Sequence, residues 1–187
     1  MSNTTIAVEF KPRYPKAKKL IPLLLILVVV LLDQLTKTFI VKNFAEGGYD
    51  GFSIMGDFIR IIHVRNPGIA FSIGTSLSLT LRSVLFKAIP LIVILVVIVV
   101  YFRNDEFSQL QRWSIAGIAG GGLGNLIDRY FRPSGVVDFI SVKFYGFLGF
   151  ERWPTFNVAD AAVVVCGLLL VFSFLFNVKS SSRVRDI

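Results

Sequence analysis

The sequence predicts an all-α membrane protein with four transmembrane helices, a small extracytoplasmic β-element and both termini in the cytoplasm. Three observations carry this. The chain is 54% hydrophobic, with 18 phenylalanines in 187 residues, and its mean hydropathy of +0.69 lies well above that of a water-soluble domain. It contains four stretches near the ~20 residues that a ~30 Å hydrocarbon core requires. Its lysines and arginines gather at alternate ends of those stretches.

The first helix is expected over residues 20–41. Lys11, Arg13, Lys16, Lys18 and Lys19 precede it and place its start in the cytoplasm. A basic run before an apolar one also describes a cleavable signal peptide, but "DQLTK" follows instead of a small-residue cleavage site, so the segment reads as a retained anchor. Residues 43–78 form an outer loop in which "FIRIIHVR" is β-branched and imperfectly alternating, as a strand is. The second helix, 79–102, ends at Arg103; the third, 113–131, begins after Arg112. The third is the least apolar because it carries "GIAGGGLGNLIDR", yet without it the charges would not sort to one side. It is predicted as a helix buried by its partners.

In the second outer loop, 132–156, Ile140, Val142 and Phe144 alternate with Phe139, Ser141 and Lys143, as in a strand lying on an apolar surface. The fourth helix, 158–178, is followed by Lys179, Arg183 and Arg185. The chain therefore divides into a basic extension (1–19), a single membrane domain (20–178) and a tail (179–187), with no internal repeat. The net charge of +8 is explained by this topogenic bias, without a nucleic-acid-binding face.

Every ionisable or amide group inside the spans then falls at one level. Asp33 lies about 20 Å along the first helix, with Lys37 one turn later on the same face. Asn125, Asp128 and Arg129 lie roughly 18 to 24 Å along the third. Asn157 and Asp160 open the fourth, and Asp138 follows the third. All sit at the outer interface, where a carboxylate entering lipid costs roughly 2.5 to 3.5 kcal/mol. Gly117, Gly121, Gly124, Asn125 and Asp128 share one helix face, which either packs helices closely or also presents function. Asp33 with Lys37, and Asp128 with Arg129, read equally as structural ion pairs or as functional groups.

Several chemistries are poorly served. One histidine, His63, and no HExxH pattern argue against a metal hydrolase. A lone strand histidine is a packing or surface residue more often than a ligand. Cys166, the single cysteine, lies among valines and leucines, where a thiolate is destabilised. Serine chemistry lacks a GxSxG elbow, and a serine–lysine pair would need Lys37 or Lys143 beside an outer serine. What remains is a pair of aspartates sharing a proton, the charged one activating water and the neutral one protonating a carbonyl. Asp138 and Asp160 are the candidates; Asp33 and Asp128 have cationic neighbours that suit support.

Five blocks, "DQLTK" (33–37), "NPGIAF" (66–71), "GGLGNLIDR" (121–129), "VVDF" (136–139) and "FNVAD" (156–160), resemble in order and spacing the signature blocks of lipoprotein signal peptidase, signal peptidase II. The resemblance covers about residues 20–178. It implies a four-span aspartic endopeptidase of the bacterial cytoplasmic membrane, active at the outer face. The implied substrate is a prolipoprotein whose cysteine already carries diacylglycerol, cut just before that cysteine. Asp138 and Asp160 would be the catalytic dyad. Asn66, Gly68, Asn125, Arg129 and Asn157 would hold substrate or orient the dyad, and Asp33, Lys37, Gly121, Gly124, Asp128 and Ala159 would support them. No metal or other cofactor is implied; the partners are the lipidated substrate and membrane lipid, with the enzyme acting as a monomer.

A proton-coupled transporter is the alternative class, because intramembrane carboxylates also mark ion pathways. The inner halves of the second and fourth spans, "VILVVIVV" and "VCGLLLVFSFLF", offer it no relay. A structural assembly subunit would explain the ion pairs but not the two further aspartates. The topology itself is testable: a reporter fused after Ile187 is expected to be active only in the cytoplasm, and one inserted near Gly48 only outside. External activity of the C-terminal fusion would remove the depth argument.

Overall fold

The computed structural model describes residues 16–47, 51–68, 78, 80–81 and 84–183. Lys11, Arg13, Gly48, residues 69–71 of the NPGIAF block and Arg185 lie outside them. The described chain is mostly helical, with one small sheet. Helix α1 (Lys16–Leu20) passes through a 3₁₀ turn (Ile21–Leu23) into α2 (Leu24–Asn43). The turn tightens at Pro22, whose missing N–H cannot close an α-helical bond. Strands β1 (Phe52–Ile54) and β2 (Ile59–Asn66) follow, then a π-helical turn (Val84–Ala88) leading into α3 (Ile89–Arg103), then α4 (Gln109–Phe131), β3 (Val136–Val142) and α5 (Val158–Arg183).

Among the described residues, three helical segments are long and apolar enough to cross a membrane: Ala17–Asn43, Val84–Arg103 and Val158–Phe176, of 27, 20 and 19 residues. The protein is an integral membrane protein. Helix α4 is different in kind. It packs against α2, α3 and α5 together, and its buried residues include Ile115, Ala116, Ala119, Gly120 and Leu126. Its glycines are the reason the neighbours come so close. A Cβ on Gly121 would overlap the Ala159 carbonyl and lie 2.7 Å from Val163 Cγ2, and one on Gly124 would lie 2.7 Å from Asp33 Oδ2. One on Gly120 would meet Val29 Cβ at 3.0 Å.

Helix α4 begins at Gln109, four residues before the expected start. Ser108 accepts from Gln111 N at 3.2 Å while the Gln111 side chain accepts from Ser108 N at 2.9 Å, a capping box written in the sequence as "SQLQ". Arg112, counted above as a loop charge, is instead fully buried. It donates to the Tyr101 and Asn104 carbonyls at 3.2 and 2.8 Å, satisfying the exposed end of α3. At the same end Lys19 pairs with Asp105, and Gln109 donates to the Lys18 carbonyl at 3.3 Å.

The sheet closes the opposite end. Its order is β1-β2-β3, all antiparallel, and residues 152–156 run along the free edge of β3 through the pairs Ile140↔Phe156 and Lys143↔Arg152. The expected strands are thus present with shifted ends: β3 starts at Val136 and stops before Phe144. Strand β1, three residues without alternation, was not anticipated. Ile40 at the end of α2 packs with Val137 and Phe139 of β3, seating the sheet on the helices.

Close approach along α4 has a direct test. Gly121→Ala is expected to cost about 1–3 kcal/mol by overpacking against α5, read as a lower thermal midpoint in detergent. Gly167→Ala, where a Cβ meets nothing within 4 Å, is expected to be neutral or to gain up to about 1 kcal/mol of helix propensity.

Candidate active site

The site is built on a buried ion cluster. Asp33, Lys37 and Asp128 are fully buried. Lys37 Nζ lies 2.8 Å from Asp33 Oδ2 and 3.1 Å from Asp128 Oδ2, and it donates to Asn125 Oδ1 at 3.0 Å. The same two carboxylates also hold backbone amides. Asp33 Oδ1 accepts the Ala159 amide at 3.0 Å, and Asp128 Oδ2 accepts the Val137 amide at 3.0 Å. Asp128 Oδ1 takes Gln34 at 3.0 Å and the Arg132 guanidinium at 3.1 Å. Each buried carboxylate therefore pins the residue immediately before one of the two remaining aspartates, Val137 before Asp138 and Ala159 before Asp160.

Those two aspartates are brought together by amides. Asn157 Nδ2 donates to Asp138 Oδ1 at 2.7 Å while its backbone N–H donates to Asp160 Oδ2 at 3.1 Å. Asn66 donates to Asp138 Oδ2 at 3.1 Å, and Asn125 to Asp160 Oδ1 at 2.7 Å. Asn125 Oδ1 faces both Lys37 and Asn157, so the amides that hold the pair are themselves oriented from the ion cluster. Gly68 N–H fixes the Asn66 carbonyl oxygen at 3.1 Å, which settles the direction of that amide. Burial, and next the charge of Asp160, push the Asp138 carboxyl up to about 7.

Both carboxyls open into a cavity of about 520 Å³ that Asn66, Gly68, Arg129, Trp153 and Phe156 also line. Arg129 is held at its wall by the π-helical turn. Pro90 has no N–H for the Phe86 carbonyl four residues back, and Arg129 Nη1 donates to that carbonyl at 3.3 Å with its guanidinium over the Phe86 ring.

Residues 25–176 match a family described as Signal peptidase (SPase) II. The chain belongs to the signal peptidase II family. Lipoprotein signal peptidase of Treponema pallidum (strain Nichols) is 50% identical over 165 residues, 88% of either chain. That of Treponema denticola is 40% identical over 166 residues, 89% of this chain and 95% of its own. A bacterial membrane enzyme solved by the in meso method at 2.3 Å resolution superposes with a TM-score of 0.74 at 26% identity, covering 92% of this chain and 96% of its own.

For a signal peptidase II, one sequence expectation needs correction: Asp128 does not pair with its neighbour Arg129. Successive helical residues point about 100° apart, so Asp128 faces Lys37 while Arg129 faces the cavity; the true helical partner is Arg132, at i+4. Arg132 and Gln34, which donates to Asp33, Gly124 O and Asp128, were not singled out in the sequence. The i+4 spacing from Asp128, and membership of the DQLTK block, were the available signals. Phe156 had its place in the FNVAD block, and Trp153 carried no signal. Lys37 and Lys143 are both engaged with carboxylates, Lys143 with Asp57 at 3.2 Å, which leaves neither as the free base of a serine–lysine pair. His63 is a buried packing residue, with Nδ1 2.9 Å from the Phe44 carbonyl.

The cluster's strength is testable through Lys37→Met, which keeps the stem and removes the charge. Two buried carboxylates then lose their shared cation, and a loss of about 3–5 kcal/mol is expected, measured as yield and thermal midpoint in detergent. An unchanged midpoint would mean that the cluster is not ionic.

Proposed function

We propose that Asp138 and Asp160 are the catalytic pair of a membrane aspartic endopeptidase that removes signal peptides from diacylglyceryl-modified prolipoproteins, cutting just before the lipidated cysteine. The observation that carries this reading is that one residue, Asn157, binds both carboxyls, on separate elements, in one cavity at the sheet end of the bundle. In this reading α4 is also a span, the third of four along the chain, residues 20–178 are a single peptidase domain, and the segments before and after it are cytoplasmic. The sheet then covers the outer face of the bacterial cytoplasmic membrane. A substrate whose cleavage point is tied to lipid requires its acid and base at that level. One chain supplies every group named, so the enzyme acts as a monomer.

The environments assign the roles. Asp138, raised to about 7, holds the proton, and Asp160 is the base. Asp160 takes a proton from water as the water oxygen attacks the scissile carbonyl carbon, and Asp138 gives its proton to the carbonyl oxygen. The tetrahedral intermediate then collapses as Asp160 gives its acquired proton to the leaving nitrogen, the C–N bond breaks, and Asp138 takes back a hydroxyl proton as the carbonyl re-forms. Asn66, Asn125 and Asn157 keep the two carboxyls in register through both steps, and Arg129 offers donors to the substrate backbone across the cavity. The transporter reading has no matching feature, because the buried polar groups of the site collect at one end of the bundle.

Asp138→Asn and Asp160→Asn preserve size and most hydrogen bonds while removing the shared proton. Either is expected to lower turnover by about three orders of magnitude per folded molecule, and the double change hardly more, since the pair acts as a unit. Cleavage of a diacylglyceryl-modified prolipoprotein, with the mass of the new N-terminus, is the measurement; near-normal turnover in either variant would reject the assignment.

The pH profile follows from the raised carboxyl. As pH rises through about 7, Asp138 loses the proton that it must donate, so kcat/KM is expected to fall with a midpoint near 7. Because the folded value lies above the ordinary 3.8, ionisation also costs stability, a cost absent at low pH and complete above about 7. A rate flat between pH 6 and 9 would exclude Asp138 as the acid.

A further inference from the structure

Among the described residues, three that are not glycine have positive φ: Met55 at 54°, Tyr145 at 51° and Leu148 at 54°. Such positions ordinarily favour Gly or Asn, and a bulky side chain there is strained. All three are large and exposed, at 76%, 69% and 71%, as is Phe147 at 64%. The register puts them together. Met55 lies in the turn joining β1 to β2, after the pair Ile54↔Ile59, and Ile59 also pairs with Val142, just before the hairpin that carries Tyr145, Phe147 and Leu148. One end of the sheet therefore carries a rim of apolar side chains, held out by strained backbone.

We infer that this rim is a membrane-docking edge that inserts into the headgroup and upper acyl region of the adjacent phospholipid leaflet. The inference goes beyond the peptidase reading and rests only on the sheet lying at a membrane face. Charge supports this occupant. Lys143, Arg152 and Arg60 surround Asp57, which accepts from all three, and Glu151 is the other nearby acid. The count of three cations to two carboxylates leaves the rim's collar net positive, as phosphate headgroups require, and Lys143 lies 5.3 Å over the Tyr145 ring. Aromatic and basic residues side by side are the composition of an interfacial anchor. Continuity supports it too. Phe144 stacks on Trp153 at 5.0 Å, stiffening a hairpin whose second strand runs within five residues into the apolar helix α5, which starts at Val158. The substrate is the less fitting occupant. Asn66 and Asp138 stand toward the Asn66↔Val136 end of the sheet, and the seven-residue rise from Ile59 to Asn66 sets the Met55 turn about 23 Å from Asn66; the cavity wall reaches toward the rim only through Trp153, on which Phe144 stacks.

The test uses the full chain with Cys166→Ala, a fluorescent label at Met55→Cys or Leu148→Cys, and vesicles of zwitterionic and anionic phospholipid. Quenching by lipids brominated near the headgroup is expected to exceed quenching by aqueous iodide about threefold at both positions, as for a side chain buried ~5–10 Å below the surface. Phe147→Trp, read by difference against the native protein, gives the same comparison without a label. Full access to iodide with no effect of brominated lipid overturns the proposal. So does shielding that appears only when lipidated substrate is added, which assigns the rim to substrate, or only at high protein-to-lipid ratio, which assigns it to a second copy.

Discussion

The structure depends on one lysine that is entirely out of water. Lys37 stands between Asp33 and Asp128, and its energetic position is severe: an ammonium group buried at this level is tolerable only because two carboxylates and an amide oxygen surround it. What makes the arrangement more than a structural pair is which backbone amides the same carboxylates accept. One holds the first turn of α5 by the Ala159 amide and the other holds the start of β3 by the Val137 amide. A helix and a strand from separate parts of the chain are thereby referenced to a common charge, and the two aspartates of the proposed pair are simply the next residues on each. The glycines of α4 serve the same end, since a side chain at Gly124 would displace Asp33.

The two classes of aspartate show how environment divides labour among identical side chains. Asp33 and Asp128 are matched by cations and a full set of donors. Asp138 is matched by amides alone, and faces a second carboxylate. Neutral donors orient a carboxyl without neutralising it, so burial and its like-charged neighbour raise its proton affinity. The sequence places one set a helical turn from Lys37 and Arg132, in direct ion pairs, and the other near element starts, where amides make the direct contacts and Arg129 acts only from across the cavity.

Much of this was legible beforehand because it rests on short-range spacing. Asp33 with Lys37, the glycine stripe of α4 and the position of Asp160 in the first turn of α5 all follow from helical periodicity. The five blocks led to the family and to all three asparagines. What was misjudged depends on contacts between distant segments. Arg129 could not be separated from Asp128 by adjacency, and its actual partner, a carbonyl in the turn before α3, has no side-chain signature. Arg112 read as a topogenic charge because burial of an arginine against the ends of a neighbouring helix leaves no pattern. Strand β1 is too short to alternate, and exists because β2 offers it an edge.

The proline before α3 has a consequence for how this sequence can vary. The acceptor that steadies Arg129 is a main-chain oxygen that any residue at position 86 would present, while the aromatic ring there also faces the guanidinium. A second demand falls on position 90, where an imino acid has no N–H to offer that oxygen. The pose of a cavity-lining cation thus depends in part on a residue that is not among those lining the cavity.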